Sequence, residues 1–204
     1  MMATTHALAG ATAGAIALFV APEFAFVALV AGAAGGVAPD LDLYAGHRRT
    51  LHFPVYGALA AALALPVAVL APGPWTVGAF VFLAAAALHA ASDALGGGLE
   101  LRPWQGTSEK AVYDHFNGRW IRPRRLVRYD GAPEDAALGA VLALPTLLAF
   151  GPDVRTTVAA ALVVSVGYAL LRKQMVAFAE RIVERLPASV VDAVPERFIS
   201  DLSG

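Results

Sequence analysis

Six times the chain runs for 14 or more residues without an Asp, Glu, Lys or Arg, and these runs are dominated by Ala, Leu, Val and Phe. They cover residues 7–20, 24–37, 53–70, 75–88 (the apolar stretch continuing to 95 around Asp93), 136–150 and 158–171. A soluble domain carries about 25% charged and about 45–50% apolar residues. Here 15% are charged and 58% hydrophobic, with mean hydropathy +0.62, so there is too little polar surface to cover a globule in water. In hydrocarbon, backbone N–H and C=O groups must be satisfied within the segment, which selects helices. The expected fold is therefore an all-α, multi-pass membrane helical bundle of about six spans. A soluble protein with five fully buried apolar helices is the competing reading.

Several runs are short, since 14 residues of helix rise ~21 Å against a hydrocarbon core of ~30 Å, and flanking Thr, Ser and Gly must complete them. Helix-breaking residues fall between the members of each pair: Ala21-Pro22-Glu23, Pro72-Gly73-Pro74 and Gly151-Pro152-Asp153. Three helical hairpins follow. For the first pair the alternative is one long helix kinked at Pro22.

The remaining connections are basic. Arg48 and Arg49 separate runs two and three, a cluster from Arg102 to Arg128 separates runs four and five, and Arg172, Lys173, Arg181, Arg185 and Arg197 follow run six. On this topology 14 of the 15 Lys and Arg residues lie on one side and only Arg155 on the other. The positive-inside rule then places both termini in the cytosol, in the cell's inner (cytoplasmic) membrane. The first residues, Met1-Met2-Ala3-Thr4-Thr5-His6, lack the positive region of a cleaved signal peptide.

The chain thus divides into a four-span core (1–95), a basic cytosolic insertion (96–135), a two-span hairpin (136–171) and a cytosolic tail (172–204). The insertion carries Arg102-Pro103-Trp104, Tyr113-Asp114-His115-Phe116 and Gly118-Arg119-Trp120, then a basic run from Arg122 to Arg128. The tail is amphipathic over residues 174–186, with Val176, Phe178, Ile182, Val183 and Leu186 set against Glu180, Arg181, Glu184 and Arg185, and a short helix is expected after Pro187. The expected partners are the lipid bilayer and anionic lipid headgroups or a phosphoester substrate, each Lys or Arg adding about 1 kcal/mol at an acidic membrane surface. No nucleic-acid partner is predicted.

With no Cys in the chain, thiolate chemistry and Cys-type metal sites are excluded, and any metal must be held by His and carboxylates. The topology brings all five His to the cytosolic side, together with Asp40, Asp42 and Asp93. Ionisable groups at membrane depth are costly and point to function. His89 and Asp93 lie four residues apart on one face of an apolar helix, where they can share a divalent ion or simply hydrogen-bond to each other. Pro39-Asp40-Leu41-Asp42 and His47-Arg48-Arg49-Thr50-Leu51-His52 supply two carboxylates and two imidazoles from neighbouring loops, and His6 stands at the start of the first helix. His6, Asp40, His47, His52, His89 and Asp93 are the candidate metal ligands, with zinc expected and manganese also suited to such a set. Asp42 is a candidate base or a residue that orients a metal-binding His. Arg48, Arg49 or Arg102 can offset charge developing on a phosphoryl group. His115, with no ligand partner at helical spacing, is expected to be structural.

The order Thr5-His6, a Gly-rich hairpin ending in Pro39-Asp40-Leu41-Asp42, His47-Arg48 with His52 five residues on, and His89-x-x-x-Asp93 resembles the YdjM family (DUF457). These are multi-pass inner-membrane proteins described as metal-dependent hydrolases. The resemblance covers roughly residues 1–95. It departs from the family pattern beside the second loop His, where Leu51 and Phe53 stand in place of hydroxyl residues. A more distant similarity joins the layout to zinc-dependent phospholipase C and related nucleases, although the second His-x-x-x-acid pair of those enzymes is missing. The resemblance implies hydrolysis of a phosphoester by metal-activated water, with the metal held by His89, Asp93 and others of the set and with Asp42 and Arg48 in catalytic roles. Two other readings compete: a transporter or metal carrier, which needs polar residues through the bilayer, and a non-catalytic membrane anchor for a cytosolic partner.

Overall fold

The computed structural model describes residues 1–187. The helices in chain order are α1 (Ala3–Ala15), the short α2 (Ala17–Val20), α3 (Ala25–Val37), α4 (Pro54–Leu70), α5 (Pro74–Ser92), α6 (Pro133–Ala149) and α7 (Pro152–Val183). With α2 continuing α1, they correspond one for one to the six apolar runs. Proline sets four of the starts, because at the first helical position its missing N–H has no intrahelical partner to lose and its φ is already helical.

Between the first two rods the backbone leaves helical space at Ala21 (φ −156°, ψ 64°) and makes a single 3-10 turn over Pro22–Phe24. α3 then returns against α1, so the first hairpin is two packed helices rather than one kinked rod. Four segments are long and apolar enough to cross a membrane: Ala3–Val20, Pro22–Leu43, Pro74–Leu95 and Pro152–Val183. α4 and α6 have 17 residues each.

At the C-terminal end the structure differs from the expected division. α7 is a single helix of 32 residues, so the amphipathic stretch is its continuation and no break falls between Leu171 and Arg172. The reason is local: no Gly or Pro interrupts the sequence between Tyr168 and Leu186. The short helix expected after Pro187 lies outside the described residues.

α3 packs between α1 and α5, α4 lies against α5, α6 against α1, and α7 against α6. The α1–α3 contact is backbone to backbone. A Cβ at Gly10 would collide with the carbonyl of Gly32, one at Gly14 with that of Ala28, and one at Gly36 with that of His6. Gly10 and Gly14, like Gly32 and Gly36, are four residues apart, and this small-residue spacing lets apolar helices approach closely. Because successive helices are antiparallel, the start of α1, the end of α3, the start of α4 and the end of α5 meet at one end of the bundle.

The insertion folds back onto that end. Arg124, Leu126 and Arg125 donate backbone N–H groups to the carbonyls of Ala94, Leu95 and Gly96 at 2.9–3.0 Å. Within it the all-α scheme has one local exception, an antiparallel hairpin of β1 (Val112–Asp114) and β2 (Arg119–Ile121) with Tyr113 opposite Trp120. The Asp114 carboxylate closes its turn by accepting the N–H groups of Phe116 and Asn117, and Gly118 takes φ +65°. The Asn117 side-chain amide, 2.6 Å from Asp114 Oδ2, holds that carboxyl below its ordinary range. Arg102 pairs with Glu180 at 2.7 Å, and Tyr168 and Arg172 bind Asp130, tying the insertion to α7.

Candidate metal centre

α3 ends in a 3-10 stretch, Ala38–Tyr44, entered through Pro39, and this stretch carries Asp40 and Asp42. The loop from His47 to His52 then wraps around Asp42. That buried carboxylate accepts the backbone N–H of Arg48 (3.3 Å) and Leu51 (3.0 Å), the Nδ1–H of His47 (3.0 Å) and the Nδ1–H of His52 (3.0 Å). Arg48 is forced into left-handed backbone (φ 59°), a conformation costing ~1–3 kcal/mol in a non-Gly residue. It is held there from several sides: its Nη1 donates to the carbonyls of Gly97 (2.7 Å) and Ala111 (3.3 Å), and its own carbonyl accepts the N–H of Tyr113 (2.9 Å).

Nδ1 of His89 lies 2.6 Å from the carbonyl oxygen of Gly36, which can only accept, so this nitrogen carries the proton. Nδ1 of His52 is likewise a donor, to Asp42. In the neutral rings both Nε2 atoms therefore present lone pairs, and they face each other at 3.2 Å. Two carboxylates converge on the same point. From His52 Nε2 the distances are 3.3 Å to Asp93 Oδ2 and 3.8 Å to Asp40 Oδ1. From His89 Nε2 they are 3.5 Å and 3.4 Å.

Four acceptor atoms this close repel one another unless a cation lies among them. Ligands ~2.0–2.2 Å from an ion in tetrahedral arrangement are themselves about 3.3–3.6 Å apart, close to the 3.2–3.8 Å between the two imidazole nitrogens and from each of them to the two carboxylates. Asp93 Oδ2 is buried and has no hydrogen-bond donor, and the nearest cation, Arg48 Nε, stands 3.5 Å away and is itself unpartnered. The buried His/Asp cluster can thus hold a metal ion. The hydrogen bonds on both Nδ1 atoms supply the outer support that metal-binding histidines ordinarily have.

The remaining candidates border this set. His6 places Nε2 3.2 Å from the other oxygen of Asp93, where the Met1 amino group also lies 3.2 Å away, and its ring stacks on His89 with centroids 3.7 Å apart. His6, His89 and Asp93 form a fully buried trio of possible ligands, and Asp40, His47 and His52 form a second trio nearer the surface. His47 Nδ1 is 4.0 Å from Asp40 Oδ1 but only 3.0 Å from Asp42, so its nearer partner is the orienting carboxylate. Burial, and next the Arg48 charge, lower the pKa of His47 and favour its neutral form. Of the two roles open to Asp42, the geometry favours orientation, because both its oxygens are already occupied. His115 donates to the Arg49 carbonyl at 2.6 Å. Arg102 is engaged with Glu180 and stays out of the cluster.

Sequence reasoning missed the Gly36 carbonyl. Its only signal was the Gly35-Gly36 pair at the end of an apolar run, and a backbone acceptor has no residue type to announce it. No family model matches the chain, and neither does any of the curated proteins or solved structures compared with it.

Proposed function

We propose that the protein is a membrane-embedded, metal-dependent hydrolase that acts on a phosphoester at the cytosolic membrane face. The observation that carries this reading is the convergence of His52 Nε2, His89 Nε2, Asp40 Oδ1 and Asp93 Oδ2, with both imidazole tautomers set by acceptors behind them. The ligand types and the close four-donor spacing fit zinc, and manganese is the second choice. An ion bound there supplies Lewis acidity and lowers the pKa of a coordinated water towards neutrality.

The chain's own residues supply the rest. Asp42 orients His52 and His47. The unpartnered Nε of Arg48 stands at the edge of the ligand set, positioned to donate to an oxygen of an anionic substrate. Hydrolysis joins the oxygen of water to phosphorus, breaks one P–O ester bond and passes the water's proton to the departing oxygen, so no oxidant or further reactant is needed. The layout of these residues along the chain resembles that of the YdjM family, and that resemblance supports the same reading.

The topology proposed with it has six spans in three hairpins, with both termini and the insertion in the cytosol of a cell whose inner membrane holds the protein. The distribution of Lys and Arg supports this orientation. Elemental mass spectrometry on detergent-purified protein tests the centre. The expected result is one or two equivalents of zinc or manganese in the wild type and loss of metal in both His89→Ala and Asp93→Ala. Wild-type protein that takes up no metal after loading would overturn the reading and favour the anchor.

A further inference from the structure

The insertion roofs one side of the centre. Ala111 and Val112 are fully buried, Arg48 is clamped between the carbonyls of Gly97 and Ala111, and Tyr113 bonds to the backbone of the His47–His52 loop. Among the possible ligands, His6, His52, His89 and Asp93 have side chains no more than 2% exposed, whereas Asp40 is 22% and His47 28% exposed. A substrate can therefore reach the centre along the Asp40–His47 edge.

That edge is bordered by apolar side chains. Leu41 (73% exposed) and Leu43 (54%) alternate with Asp40 and Asp42, and Leu51 and Phe53, also exposed, flank His52. Asp40, Leu41 and Leu43 all belong to Pro22–Leu43, a segment apolar enough to cross a membrane. Beside it an aromatic group follows the start of α4: Phe53 packs on His115 at 4.8 Å and Tyr56 on Phe116 at 6.2 Å, while the Arg49 guanidinium lies over Tyr113 at 4.7 Å. Exposed aromatic and cationic side chains side by side are the usual composition of a membrane–water interface. The centre is thus covered by protein on one side and opens beside side chains suited to lipid.

We propose that the substrate is a membrane phospholipid that enters sideways from the bilayer, its phosphate meeting the Asp40–His47 edge while its acyl chains stay in lipid beside Leu41 and Leu43. This rests on the hydrolase reading and narrows its substrate from phosphoesters in general to those that carry hydrocarbon chains. A water-soluble phosphoester lacks the chains that this edge accommodates.

The test uses full-length, zinc-loaded protein in detergent, with ligand capture read by native mass spectrometry and zinc by elemental analysis of the same sample. The three probes are dioleoyl phosphatidylglycerol, dioleoylglycerol, which has the chains without the phosphate, and glycerophosphoglycerol, which has the phosphate without the chains. Wild type is expected to retain phosphatidylglycerol at least ~10-fold better than either partial probe. Leu41→Glu/Leu43→Glu is expected to reduce that retention ~10-fold with zinc unchanged, the zinc reporting that the variant is folded. Equal capture of glycerophosphoglycerol, equal capture of dioleoylglycerol, or full retention of phosphatidylglycerol by the double variant would each overturn lateral entry while leaving the metal centre intact. A zinc-free wild type would instead sink the hydrolase reading, whatever lipid it captures.

Discussion

Two buried carboxylates lie near the N-terminal segment, and they are treated in opposite ways. Asp135, in the first turn of α6, accepts the backbone N–H of Met2 (2.7 Å) and Gly131 (3.1 Å) and the hydroxyl of Thr5 (2.8 Å), so both its oxygens have donors. Asp93, at the end of α5, has one oxygen engaged by His6 and leaves the other without a hydrogen bond, turned towards the lone pairs of two imidazoles. A fully satisfied buried carboxylate is a fastening, here of α1 to α6. A carboxylate that keeps one oxygen free of hydrogen bonds, here with the Arg48 guanidinium 3.5 Å away, has a lone pair left for a metal ion. Burial is common to both, and what separates them is the oxygen of Asp93 that has no hydrogen-bond donor and faces two imidazoles.

The largest effect is expected where the donor count is lowest. Asp93→Asn replaces an anionic acceptor with a neutral amide, and His89→Ala removes one of the four converging atoms. Either change should abolish metal binding, measured as metal per protein, while leaving the helical signal in circular dichroism intact. The comparison breaks if the same variants unfold the bundle and bound metal disappears only with the fold.

Asp135→Ala should do the reverse. It strands two buried N–H groups and a hydroxyl, each costing ~1–3 kcal/mol, so thermal unfolding in detergent should shift down by several kcal/mol while the protein still folded keeps its metal. Asp42→Asn combines the two effects although it touches no ion: losing the charged acceptor behind His52 should weaken metal affinity ~10–100-fold in competition with a chelator, and the amide NH2 strands two of the four buried donors, so the unfolding temperature should fall as well. Arg102→Ala, at a partly exposed pair with Glu180, should cost no more than ~1 kcal/mol and leave metal binding unchanged. A large loss there would show that the tie between the insertion and α7 matters to the centre.

Much of this was legible in the chain. Long apolar runs can be satisfied in hydrocarbon only as helices, and the runs at 53 and 75 begin within one residue of the helices that start at Pro54 and Pro74, while the run at 158 lies inside a helix that opens six residues earlier at Pro152. Pro22 marked a break between runs 7–20 and 24–37 but fitted a hairpin and a kinked rod equally, and the ligand types followed from an excess of His and Asp beside apolar helices. The hairpin of β1 and β2 was not legible, because three-residue strands leave no periodicity to read. Nor was the unbroken α7, since a change from apolar to amphipathic composition looks like a boundary although the backbone has no reason to stop.

The sequence by itself determined the helices, the basic connections and the inventory of nitrogen and oxygen ligands, because these depend on residue type and local spacing. The tertiary structure alone decided which four of the candidate donors meet. That selection depends on contacts between residues distant in the chain: glycines 10, 14, 32 and 36 let α1 and α3 close to backbone contact, and the Gly36 carbonyl then sets the tautomer of His89 from 53 positions away. Hydrogen bonds and lone pairs act over about 3 Å, and only the packed bundle brings such groups within that range.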